Sequence, residues 1–143
     1  MKLVGERVFR NVLGLVVGAW LGTAITMATY TAIQIALGHR EAVDGIIAGV
    51  PTLGLFVFIV MAPLVLIAHA ALCALKRPAW FYYVGLAAVV GYFLGSLVTY
   101  VESSISRLWM DGGFAIWAAV CVAIFWLIRR PDKDAVVPLD THF

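Results

Sequence analysis

Charge is what this sequence has least of. It carries ten basic and eight acidic residues in 143, so charged side chains are 13% of the chain. A soluble domain of ordinary composition has about 25%. Charge is also absent from the long apolar runs, where a catalytic acid, a base or an ion pair would have to stand. The cysteines are two, Cys73 and Cys121, and neither belongs to a C-x-x-C pair or a loop. That excludes a disulfide framework and a zinc knuckle. No C-x-x-C-H is present, and of the three histidines only His69 lies within an apolar run. A bis-histidine haem is therefore disfavoured, and no cofactor is expected. No nucleophile, base and orienting group recur at a workable spacing, so the sequence does not read as an enzyme. The net charge of +2 is too small to argue from; it is the low charge and high apolar content that rule out a nucleic-acid reader.

What is there is apolar surface. Hydrophobic residues make up 64% of the chain and the mean hydropathy is +1.01. A chain this short cannot hide that much apolar area in its own core. The partner that accepts it is a lipid bilayer. The charged residues divide the chain into four apolar runs, Val12–Leu37, Ile46–Leu75, Ala79–Val101 and Gly112–Ile128. A helix needs roughly 20 residues to cross the hydrocarbon layer. Every backbone amide must be paired internally there, so each run reads as a helix. No run shows the alternation of an outer-membrane barrel strand. The expected architecture is an all-α integral membrane protein, a bundle of four transmembrane helices over about 12–37, 46–75, 79–101 and 110–128. These form one transmembrane domain, residues 1–130, and residues 131–143 are expected to be a flexible cytoplasmic tail. The first run is too long for a signal-peptide core and ends in no small-x-small site, so it reads as an anchor.

The few charges that exist are sorted. Lys2, Arg7, Arg10, Lys76, Arg77, Arg129, Arg130 and Lys133 fall on one side of the four runs; Arg40 and Arg107 fall on the other. Basic residues in short loops stay cytoplasmic, which puts both termini inside, in a plasma (inner) membrane. Trp80, Phe81, Tyr82 and Tyr83 would form an inner aromatic belt, and Tyr100 and Trp109 an outer one. Glu41, Asp44, Glu102 and Asp111 are then outer-side acids. Two prolines, Pro51 and Pro63, stand inside the second run, where each removes one backbone hydrogen bond.

The first and third runs resemble one another. VVGAWLGTAIT (16–26) aligns without gaps on VVGYFLGSLVT (89–99), with six of eleven positions identical. Gly14, Gly18 and Gly22 correspond to Ala87, Gly91 and Gly95. This predicts two helical hairpins of one orientation, related by an axis along the membrane normal. Small residues every fourth position line one helix face and let backbones approach closely. The first and third helices are expected to cross at these faces, within the chain or between protomers. A second stripe, Thr23, Thr26, Tyr30 and Gln34, corresponds to Ser96, Thr99, Ser103 and Arg107. Facing each other, the two stripes would line a polar outer vestibule. Otherwise their hydroxyls would bond carbonyls of their own helices.

Ionisable groups deep in a bilayer are functional suspects. His69 is the one candidate, with Cys73 four residues on; adding Cys121 would give a soft metal set, which three dispersed ligands support poorly. Glu102 with Arg107, and the trio His39, Glu41 and Asp44, read as ordinary interfacial and loop residues. The leading functional expectation is a non-enzymatic accessory, assembly or scaffold protein. It would act through helix contacts as a homo-oligomer or within a larger membrane complex. The alternative is an oligomeric small-solute transporter or channel that uses the hydroxyl stripe.

Overall fold

A computed structural model of the chain describes residues 2–38, 42–76, 79–98 and 104–130, with side chains over 5–38, 49–76, 79–97 and 111–130. Among the described residues there are four helices, α1 (Lys2–Ala36), α2 (Ala42–Ala74), α3 (Trp80–Val98) and α4 (Ser104–Arg129). Each contains a stretch long and apolar enough to cross a membrane: Gly5–Ala36, Gly49–Ala74, Trp80–Leu97 and Asp111–Arg129. The residues expected to form the tail, 131–143, lie outside the described residues.

Three helices start before their apolar runs: α2 at Ala42, four residues before Ile46, and α1 and α4 for local reasons. α1 starts ten residues before Val12, at Lys2. Its polar first turns carry an Arg10–Glu6 ion pair of 2.6 Å at i,i+4 spacing, which supports a helix in water or at an interface. α4 starts at Ser104, so Arg107 and Trp109 belong to a helix and not to a connection. Serine is well suited to open a helix, and the isoleucine, leucine and tryptophan that follow it keep the helical period.

The helix ends are made by left-handed residues. α1 closes on Gly38, with φ +95° and its amide bonded to the Ile35 carbonyl at 3.0 Å. α2 and α4 close on basic residues instead. Lys76 (φ 53°) donates to the Cys73 carbonyl and Arg130 (φ 46°) to the Trp126 carbonyl. A side chain in this conformation is strained, and the prolines at 78 and 131 bar any continuation of either helix. α2 itself runs unbroken through Pro51 and Pro63, both on its exposed side.

α4 is the centre of the packing. Its pairing with α3 is the most extensive in the molecule, followed by α1 with α4 and α1 with α2; α2 and α3 barely touch. Among the described residues the first and third helices do not pack on each other within the chain. Their glycines both turn to α4. A Cβ on Gly18 would lie 2.7 Å from the Cys121 carbonyl oxygen, and one on Gly91 would lie 2.6 Å from the Phe114 carbonyl oxygen. The same holds for Gly14 and Gly22 against Phe125 and Cys121, and for Gly95 against Asp111. The physical reason lies on α4: Ala115, Ala118 and Cys121 give it a low surface on which two other backbones can settle. Ala87, the counterpart of Gly14, is buried in the same core. That core has two parts. Val65, Tyr83, Ala87, Ala118, Val122 and Phe125 join α2, α3 and α4; Ala19, Val57 and Cys121 join α1, α2 and α4. Elsewhere large apolar side chains face outward, Ile67 at 67% and Leu97 at 76% exposure among them.

Candidate functional site: buried polar contacts and an open seam

The hydroxyl stripe of α1 is bonded internally. Thr23 has no exposed surface; it donates to the Ala19 carbonyl at 2.6 Å and accepts from Trp117 Nε1 of α4 at 3.0 Å. Thr26 and, one position outside the stripe, Thr29 donate to the carbonyls of Gly22 and Ile25. Tyr30 is exposed and Gln34 half-buried. On α3, Ser96 donates to Asp111 Oδ2 of α4 at 3.1 Å. Thr99 and Ser103 lie outside the described residues. Arg107 stands on α4 while Ser96 stands on α3, so the second stripe does not run along one helix. Of the second stripe only Ser96 has a described side chain, and it meets α4. Thr23 and Ser96, the paired positions of the repeat, each bond α4 instead.

Two charged positions are buried, which the sequence reading did not anticipate. Asp111 sits inside α4 at 2% exposure, hydrogen-bonded by Ser96 and pressed against Gly95. Arg129 is likewise inside the bundle. It is 5% exposed, and its Nε donates to Asn11 Oδ1 of α1. The missed signal was periodic. Asp111, Ala118, Val122, Phe125 and Arg129 are separated by seven, four, three and four residues, which places them on one helical stripe, and all five are buried. A charged residue in phase with a buried stripe goes into the bundle with it.

The α2–α3 seam has a polar clasp at one end and is open above it. His69 Nδ1 and the Tyr83 hydroxyl are 2.7 Å apart, and Tyr83 is almost fully buried. The edge of Phe125 lies against the His69 ring, with centroids 6.0 Å apart. Cys73 Sγ is 3.8 Å from His69 Nδ1, whereas Cys121 packs in the other core cluster, against Gly22. Among the described residues no group of three or more metal-capable side chains comes together. Beyond the clasp, α2 and α3 part over two apolar hollows. One, of about 270 Å³, lies between Leu64, Ile67, Ala68 and Ala71 of α2 and Leu86 and Val90 of α3, with Val122 of α4 on its floor. The other, of about 130 Å³, continues toward Leu94 and Leu97. The matching seam between α1 and α4 is closed by Gly14, Gly18 and Gly22, with a remnant of only about 20 Å³.

The chain matches no protein-family model, no curated protein and no solved structure.

Proposed function

We propose that this chain is a small multi-pass membrane protein that works through helix contacts, as an accessory, assembly or scaffold subunit, and not through a reactive centre. One observation carries the reading. The hydroxyls best placed to line a solute path, Thr23 and Ser96, are bonded to Trp117 and Asp111 inside the bundle. A transport path needs such groups turned to water, so the carrier alternative has less behind it. The wide apolar surface of α2, with Phe56, Ile59 and Ile67 exposed, supports a protein that meets lipid and other helices. The distribution of basic residues supports a topology with both termini cytoplasmic, in a plasma or inner membrane. The gapless likeness of α1 and α3 supports an origin as two hairpins of one orientation.

The test is purification of the tagged full chain in mild detergent, followed by size analysis and identification of what co-purifies. A stoichiometric membrane partner, or a defined homo-oligomer, is the expected result. A lone monomer that conducts a solute in vesicles, and loses this with Thr23→Val, would replace the reading with the carrier one.

A further inference from the structure

We infer that Cys73 is an S-acylation site: its thiol, with His69 as the base and Tyr83 as the group that orients His69, takes a long-chain acyl group from a thioester at the basic end of the bundle. The inference goes beyond the scaffold reading and does not depend on it, since it concerns a residue modified once and not a centre that turns over. Three observations meet here.

The first is a constellation that only the fold assembles. Cys73 Sγ lies 3.8 Å from His69 Nδ1 and 3.9 Å from His69 Nε2, one helical turn away on α2. His69 Nδ1 is 2.7 Å from the hydroxyl of Tyr83, across the seam on α3. Tyr83 is almost fully buried, and its hydroxyl is 4.0 Å from the sulfur. A nucleophile beside a base that a third group holds in place is the arrangement that activates a thiol. Such distances are loose before a substrate arrives and tighten in the complex. With Nδ1 engaged by Tyr83, Nε2 is the nitrogen that takes the thiol proton. The second is access. Cys73 is exposed, whereas Cys121 is buried against Gly22. The third is depth. Cys73 is the last residue but one of α2 and stands three before the exposed Lys76. Leu75, Trp80 and Phe81, all exposed, belong to the same end. In a bilayer this places the sulfur just inside the boundary between lipid and water, where basic and aromatic residues collect. A long-chain thioester dissolved in the membrane presents its carbonyl at that depth, and juxtamembrane cysteines are where acyl groups are carried. The step balances without a redox partner. His69 Nε2 takes the proton of Cys73, Sγ attacks the thioester carbonyl carbon, the bond from that carbon to the carrier sulfur breaks, and the carrier thiolate leaves with the proton held by His69. One thioester and one thiol give one thioester and one thiol.

The full chain is purified in a neutral detergent and incubated with palmitoyl-coenzyme A. Intact and peptide mass spectrometry follow the acyl group, and release by neutral hydroxylamine marks a thioester. One acyl group per chain should form, on Cys73 and not on Cys121. His69→Gln should slow its formation at least about tenfold, the lower part of what a positioned base supplies. Tyr83→Phe keeps the ring, removes the hydroxyl that orients His69 and should slow it severalfold; it carries the test if His69→Gln does not fold. Ala74→Cys in a Cys73→Ser background puts a thiol at an exposed position of the same depth, turned about 100° further round the helix from His69. That thiol should acylate at least about tenfold more slowly than Cys73. His69→Gln should leave its rate unchanged, which separates a base from a merely structural residue. The proposal is overturned if the Ala74→Cys thiol reacts as fast as Cys73, or if His69→Gln slows both thiols alike. It is also overturned if His69→Gln and Tyr83→Phe both leave the Cys73 rate unchanged, or if acetyl-coenzyme A reacts as fast as the palmitoyl thioester.

Discussion

Adding one methyl group at Gly91 should loosen the bundle, and adding one at Gly85 should not. Both glycines are on α3. A Cβ at Gly91 would come within 2.6 Å of the Phe114 carbonyl oxygen, 2.7 Å of the Ala118 methyl and 3.0 Å of the Ala115 Cα. All three atoms are backbone or attached directly to it, so no side chain can swing away. Ordinary contact begins near 3.4 Å, and α3 must therefore retreat by about 0.8 Å. A gap of that size forfeits between a quarter and a half of the dispersion energy of the atoms it separates. A seam of this length holds on the order of 20 close atom pairs at ~0.1–0.2 kcal/mol each, so the loss is roughly 0.5–2 kcal/mol before strain is counted. Overpacking of a close-packed site costs about 1–3 kcal/mol in all. Gly85 meets nothing within 4 Å, and alanine there should be neutral or stabilise the helix by up to ~1 kcal/mol. The assay is reversible unfolding of each variant in mixed micelles, read by tryptophan fluorescence. Gly91→Ala should be less stable than Gly85→Ala by at least ~1 kcal/mol. If the two unfold together, α3 does not lie on α4 as described, and the reasoning fails.

The remaining predictions use the same purified protein. Thr23→Val leaves Trp117 Nε1 without its acceptor and should cost about 0.6 kcal/mol, at most ~1.7, whereas Thr23→Ser should restore stability; a valine variant as stable as the parent would remove Trp117–Thr23 from the packing account. Asp111→Leu should destabilise more than Asp111→Asn, because only asparagine keeps an acceptor for Ser96, and the order of the two unfolding midpoints decides it. Cys73, which is exposed, should react with a membrane-permeant maleimide in the folded protein, and Cys121, which is buried, only after unfolding; mass spectrometry of the labelled peptides reads both.

The helices were legible because charge is so scarce that its positions mark their approximate limits. Ends were less legible. The first turns of α1 and α4 are polar, and an apolar-run criterion misses helix that lies outside the hydrocarbon. The packing faces of α1 and α3 were legible as well, since Gly14, Gly18, Gly22, Gly91 and Gly95 all meet a neighbour closely. Which neighbour they meet was not. A small-residue face states that a backbone comes near and is silent about whose. That information sits in the other half of the contact, in Ala115, Ala118 and Cys121, where the smallness is spread over alanine and cysteine and does not form a glycine run. The same blindness applied to Asp111 and Arg129. The apolar-run reading gives charges only a boundary role, yet these two belong to one buried stripe, visible when the helical period of α4 is followed through both of them.

The sequence likeness of α1 and α3 makes the open seam informative. Two hairpins related by a two-fold axis would have two equivalent seams, α1 with α4 and α3 with α2. Here the first is sealed by three glycines and the second is nearly without contact. The cause is a competition for one face. α3 carries one small-residue face, and the chemistry of α4 meets it better than α2 does: Ser96 finds Asp111 there, and Gly91 and Gly95 find a low alanine surface. α2 offers Leu64, Ile67 and Val65 toward the same helix and is tied to it by the His69–Tyr83 contact at one end. Packing that satisfies α4 twice thus leaves the α3-facing side of α2 short of a partner along most of its length, while α1 covers another side. A bilayer does not penalise this as water would, because lipid chains solvate leucine and isoleucine as well as another helix does. The asymmetry suits a lipid environment, and it leaves a bundle with one sealed seam and one open one.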